Sequence, residues 1–378
     1  MNARQLRTAV SAPTARAFAR TRGARPLLAT LRSAALPLAL LTALLPGVAR
    51  AQIGEPPATI LAALSDYQPT PTDDGTGFVT SSGFAFGVLA SEGVAVEVNG
   101  AGALSDANVR FLGALVGVAS GYGDGIAAPV ADFFRTRASE LTGVGEVAVE
   151  VMEYLMFVDV VAGPTPEVSV RFAPQHVDAD RFGPPAHVLG PLGAPHVVRL
   201  FTDLQCPYCA QFEALGMPVV RSELLPRGDV RLELYHFPLK SIHPNATVAA
   251  EASECLAATT AELVDFAAGE DAFWTFQSAL FTRQDEWAGR PDPLPLFVTI
   301  AEDAGLSADG LAECVRSGRY GALVEESYRV AAQDLRLTGT PTVFVDGLKV
   351  GDYRDVADYL RLMRLSSAMA GEAQPVQP

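Results

Sequence analysis

The stretch from His196 to Gly216, HVVRLFTDLQCPYCAQFEALG, decides how this chain is read. His196 to Thr202 is a short apolar run of the kind that forms a buried strand. Asp203, Leu204 and Gln205 form a turn. Pro207 then stands at the first position of a helix, where proline is tolerated, and Gly216 reads as the stop. Strand, turn and helix therefore deliver Cys206 and Cys209 to a helix start. Two cysteines three apart on a helix share a face, close enough for a disulfide. Cys206 meets unpaired backbone N–H groups and the positive end of the helix dipole, which lower a thiol pKa from about 8.5 into the range of about 3.5 to 7.5. Cys206 is expected to be the solvent-facing nucleophile. Cys209, one turn inward, is expected to be buried and to resolve the mixed disulfide.

A CxxC alone also fits half a zinc site or a structural crosslink. Zinc wants a second ligand pair at short spacing, whereas Cys255 and Cys314 stand alone. A crosslink closing so short a loop constrains the unfolded chain very little. No metal, nucleotide or flavin cofactor is implied.

Downstream residues extend the pattern. Asp229 to Phe237 (DVRLELYHF) reads as a second strand, with Val230, Leu232 and Leu234 on one face. Gly339-Thr340-Pro341-Thr342 precedes two short strands joined by Asp346-Gly347, a hairpin turn, and Val356 to Leu365 reads as a closing helix. Strand, CxxC helix, strand, proline-led hairpin and helix is the thioredoxin arrangement. Pro341 is expected to be cis, leaving the Thr340 backbone free to pair with an extended substrate segment beside Cys206.

Residues 187 to about 365 resemble the DsbA-like thiol-disulfide oxidoreductases of the thioredoxin superfamily. The resemblance rests on LGPLGAPHVVRLFTDLQCPYCAQFE, FPLKSIHPNATVAAEASECLA, FWTFQSALF and GTPTVFVDG, in the family's order and spacing. It implies an α/β thioredoxin fold with a helical insertion, here residues 245–336. It also implies that Cys206 and Cys209 are the redox pair, Pro341 the cis-proline, and Pro207 and Tyr208 the dipeptide that tunes the potential. Many relatives carry a buried acid six residues before the first cysteine, and Leu200 occupies that place. Asp203 and Glu213 are the nearer acids and the candidates for proton transfer, although Asp203 equally suits capping the turn. His243, before Pro244, suits either the site or the helix entry. Cys255 and Cys314 are expected to form a structural disulfide, as two leftover cysteines of an exported chain usually do and as some relatives show in this subdomain; two buried free thiols are the alternative.

The rest of the chain sets the context. Its 378 residues, 49% hydrophobic and 19% charged, suit about two globular domains. Residues 1–51 hold eight arginines and no acid, so the remainder carries a formal charge of −23. That disfavours nucleic acid as a partner. The arginine-rich start, the apolar run Ala34 to Val48 and Ala49-Arg50-Ala51 read as a signal peptide over 1–51, because about 15 apolar residues fall short of the roughly 20 that span a bilayer. The expected location is the periplasm or cell envelope, with a membrane tether if the signal is not cleaved.

Residues 52–160 contain no cysteine and read as a smaller α+β domain of unassigned role. Strand-like runs lie between Gly77 and Val98 and near Val147 to Val151, and helices near 106–118 and 128–141. The glycines at 121, 123 and 125 lack a dinucleotide fingerprint and read as a loop between helices. Residues 161–189 read as a connector, 190–370 as the thioredoxin domain and 371–378 as a disordered tail. The implied activity is an exchange of disulfides with cysteine-containing protein substrates, with a separate redox partner protein. Two rivals stand beside it: an isomerase or reductase of the DsbC or DsbG kind, dimerising through residues 52–160, and a chaperone-like binding module with a vestigial CxxC.

Overall fold

The computed structural model describes residues 53–377, so the expected signal peptide lies outside the described residues. The first layer begins with α1 (Pro57–Ala63), β1 (Thr70–Pro71), β2 (Phe78–Val79), β3 (Ala85–Ser91) and β4 (Val94–Ala103). Next come α2 (Asp106–Ser120) and α3 (Asp124–Leu141), then β5 (Val147–Val151), β6 (Tyr154–Val161) and β7 (Glu167–Pro174). Ser105 caps α2 by accepting from the Asn108 N–H, and Gly121, at φ +81°, ends it in the left-handed conformation that favours glycine. The glycine cluster is thus a helix-to-helix turn. The strands form one antiparallel sheet in the order β1-β2-β3-β4-β7-β6-β5.

The stretch expected as a connector, 161–189, contains the eight-residue strand β7. Val168, Val170 and Phe172 alternate into the core, and β7 pairs with both β4 and β6. Each such buried side chain contributes about 1.5–3 kcal/mol, enough to draw the run into the sheet. β8 (His187–Leu189) belongs to the next sheet, which leaves only residues 175–186 as the passage between the two.

The second sheet is built from β9 (His196–Thr202), β10 (Val230–His236), β11 (Thr342–Val345) and β12 (Leu348–Lys349), in the order β12-β11-β9-β10-β8. β9 and β10 are parallel and the other pairs antiparallel. Between β9 and β10 runs α4 (Pro207–Val219). Gly216 lies inside that helix rather than at its end. A Cβ there would sit 2.6 Å from the Phe212 ring and 2.9 Å from that of Tyr353, so this glycine marks close packing, not a stop.

The insertion is helical: α5 (Ala246–Leu263), α6 (Phe266–Thr282), α7 (Gln284–Trp287), α8 (Leu294–Asp303), α9 (Leu311–Arg316) and α10 (Gly321–Arg329). Both faces of the sheet are covered. Val198, Leu200, Leu232 and Leu234 enter one core, whereas Phe201, Tyr235 and Phe344 enter another with Phe182.

The closing helix α11 (Val356–Met369) packs on β11 and also on β3 and β4 of the first sheet. One continuous core therefore holds both sheets. The expected disordered tail is replaced by β13 (Gln374–Pro375), which pairs with β3 at Ala90 and Leu89. An edge of β3 left open by the short β2 supplies the unpaired backbone groups that bind it.

Candidate active site: a dithiol at a helix start

β9 carries the chain into the turn, and Cys206 becomes the N-cap of α4 with Pro207 as the first helical residue. The amides of Cys209 and Ala210 donate to the Cys206 carbonyl at 3.0 and 3.1 Å, closing the first turn. Both cysteines are unlinked thiols. Cys206 is not solvent-facing as expected: it is 3% exposed and Cys209 1%. Long-range packing covers it, since its Sγ lies 3.5 Å from the Thr340 carbonyl and both cysteines join the core of the insertion. Tyr208, between them, is exposed.

The two thiols differ in acidity. Hydrogen bonding from the Cys209 thiol, joined by Thr340 and the Cys209 and Tyr208 amides, brings Cys206 down to about 6 against the opposing effect of burial. Burial pushes Cys209 well above the ordinary thiol value, and the neighbouring Cys206 adds to it. One thiol is thus poised as a thiolate while the other holds its proton.

Around the pair, the insertion grips the turn. Gln284 Nε2 donates to the carbonyls of Leu204 at 2.7 Å and Cys206 at 3.1 Å. Gln205 Nε2 donates to the Ala288 carbonyl at 2.7 Å, while its Oε1 accepts from the Asn245 amide at 2.6 Å. The Thr340–Pro341 peptide is cis. Asp203 is buried and its carboxylate accepts from Gln205, Leu239 and His243, so it organises the turn. Glu213 lies about one turn beyond Cys209 in α4. Burial raises its pKa, and its polar neighbours are Ser278, Arg221 and Gln277. Leu200 is buried in the apolar core.

Cys255 and Cys314 form a disulfide between α5 and α9, with Cα atoms 5.9 Å apart. Among the described residues, no group of three or more His, Cys, Asp or Glu is arranged to hold a metal ion. Sequence reasoning missed Gln284, Gln205 and Asn245. Nothing local marks them, because their partners lie about 40 to 80 positions away. It also missed a buried network in which His187 and His236 both meet Glu254 Oε1, at 3.1 and 2.7 Å, and His187 also meets Glu270 at 2.9 Å.

The family model described as thioredoxin matches residues 183–364. A Na(+)/H(+) antiporter NhaA 3 of Salinispora tropica is 37% identical over 172 residues, 45% of this chain and 22% of that protein. The probable disulfide bond formation protein D of Bacillus anthracis is 25% identical over 166 residues, 42% of this chain and 69% of that protein. Oxidised BdbD of Bacillus subtilis superposes with a TM-score of 0.41 at 22% identity, covering 52% of this chain and all of that one. The chain spans about a quarter of the length of the antiporters it matches. Among the described residues, no helix is long and apolar enough to cross a membrane. The family model, the Bacillus anthracis relative and the sheet order point the same way: residues 183–364 match the thioredoxin family and are similar to its disulfide-forming members.

Proposed function

We propose that this chain is an exported thiol-disulfide oxidoreductase that introduces or exchanges disulfides in secreted or envelope proteins. The observation that carries this is the divergence of the two thiols, with Cys206 down at about 6 and Cys209 held well above its ordinary value. In the oxidising direction a substrate thiolate attacks Cys206 Sγ of the Cys206–Cys209 disulfide. The Cys206–Cys209 bond breaks, Cys209 leaves and takes a proton, and a mixed disulfide forms. A second substrate thiolate attacks the substrate sulfur, expelling Cys206 as a stabilised thiolate. Two electrons then rest on the dithiol, and a separate redox partner protein removes them. The Thr340 carbonyl lies 3.5 Å from Cys206 Sγ, with Pro341 next in the chain, which supports a role for the Thr340 backbone in holding an extended substrate segment. Pro207 and Tyr208 tune the potential, and the Cys255–Cys314 disulfide braces the insertion.

Oxidative refolding of a reduced, disulfide-dependent protein tests the reading. Wild-type protein should accelerate it, and Cys206→Ser should abolish the acceleration. Equal activity of the variant would sink the assignment and favour a binding module.

A further inference from the structure

The turn before the redox pair contains a device that the reaction above does not use. Cys209 Sγ receives the main-chain N–H of Asp203 at 3.4 Å. Before Cys209 can attack it must become an anion, and burial opposes that; an N–H aimed at the sulfur favours it. The aim of this N–H depends on how firmly Asp203 is held. Its side chain has no solvent exposure, and three donors converge on it. Oδ1 accepts from the Gln205 amide at 2.7 Å. Oδ2 accepts from the Leu239 amide at 2.8 Å and from His243 Nδ1 at 2.7 Å. An imidazole nitrogen facing a carboxylate must donate, so Nδ1 carries the hydrogen. Two of the donors are backbone and remain whatever the sequence; only His243 is a choice of residue. Its side chain keeps 15% exposure, so filling the core does not account for it.

We infer that His243 is a positioning residue that acts through Asp203 to keep the Asp203 N–H on Cys209 Sγ, and that it sets the rate at which the inner cysteine closes the disulfide. The inference rests on the reading of Cys206 and Cys209 as a redox pair.

The test mixes the reduced full chain with one equivalent of an aryl disulfide whose released thiolate is coloured. Cys206 attacks the aryl S–S bond, forming a Cys206–aryl mixed disulfide and releasing one aryl thiolate. Cys209 gives its proton to solvent, attacks Cys206 Sγ and expels the second aryl thiolate, so two electrons pass from the dithiol to the reagent. Two phases of colour then report attack and closure separately. In His243→Ala the second phase should slow roughly 3- to 10-fold, as loss of one hydrogen bond implies. The first should stay within about twofold. His243→Asn, whose amide N–H can stand where Nδ1–H stood, should restore the second phase. An unchanged second phase in His243→Ala, or equal slowing of both phases without rescue by Asn, would overturn the inference. A wild-type protein that releases no colour, or a Cys206→Ser variant that retains both phases, would overturn the redox reading and the inference with it.

Discussion

Arg361 Nη1 donates to the Ile53 carbonyl at 2.8 Å, joining positions 308 apart in the chain. The guanidinium also binds Asp358 within α11, and Arg364 reaches Glu55 at 3.0 Å, so the last helix clasps the start of the described chain. Arg361→Met should cost about 1–3 kcal/mol, because it leaves a buried carbonyl unpaired. With one core holding both sheets, urea should unfold the wild-type protein in a single transition. Two well-separated transitions would contradict the shared core.

Alkylation of the reduced protein should select Cys206. Its thiolate fraction rises through about pH 6, whereas Cys209 stays protonated far above that. The rate read by peptide mass should therefore titrate near pH 6 for Cys206 alone, with a modest absolute rate because that residue is 3% exposed. Equal labelling of the two cysteines at that pH would count against their assigned roles.

A dithiol oxidises others when its reduced form is stabilised, and the outer thiolate here has that stabilisation. Equilibration with glutathione should give a potential well above the approximately −270 mV of thioredoxin and nearer the approximately −120 mV of a strong oxidant. A value near the lower figure, together with a dimer formed through residues 52–160, would favour the isomerase or reductase reading.

The buried histidine network should make stability depend on pH at both ends. Burial works against the His187 charge, yet Glu254 and Glu270 raise it from 6.5 to about 9. Its contribution is complete below about pH 6.5 and is lost as pH rises through 9. Burial likewise opposes the Glu254 charge, yet His187 and His236 draw it down from 4.5 to about 2, so its contribution is present above 4.5 and lost as pH falls through 2. Denaturation midpoints should be highest between these limits. Glu254→Gln, which strands buried histidines, should cost about 3–5 kcal/mol near neutral pH. A flat profile from pH 5 to 9 would refute the network's role.

The Cys255–Cys314 disulfide closes a separation of 59 residues, for which chain entropy predicts about 4 kcal/mol. A Cys255→Ala, Cys314→Ala double variant should unfold at lower denaturant while Cys206 still reacts. Peptide mapping without reductant that recovers both as free thiols would exclude the bridge.

Local pattern made half of this protein legible. β9, α4 and the Asp346-Gly347 hairpin, with φ +50° and +91° at its two turn residues, follow from apolar runs and turn chemistry a few residues wide. The errors fall where a short-range signal had a long-range cause. Gly216 looked like a helix stop but makes room for Phe212 and Tyr353. The segment read as a connector hid β7, whose partners β4 and β6 come from either side of two helices.

What the sequence determined by itself is the local arrangement: a CxxC at a helix start and, farther along the chain, a proline-led hairpin. Backbone dipoles and capping act within one turn, so four residues and their flanks suffice to specify it. Only the tertiary structure decided how deeply Cys206 is covered, that Gln284 grips the turn, that His243 bonds Asp203, and that α11 and β13 bind the first domain. Those relations join residues about 40 to 300 positions apart. Burial and hydrogen bonding depend on distance in space, and no periodicity along the chain encodes that.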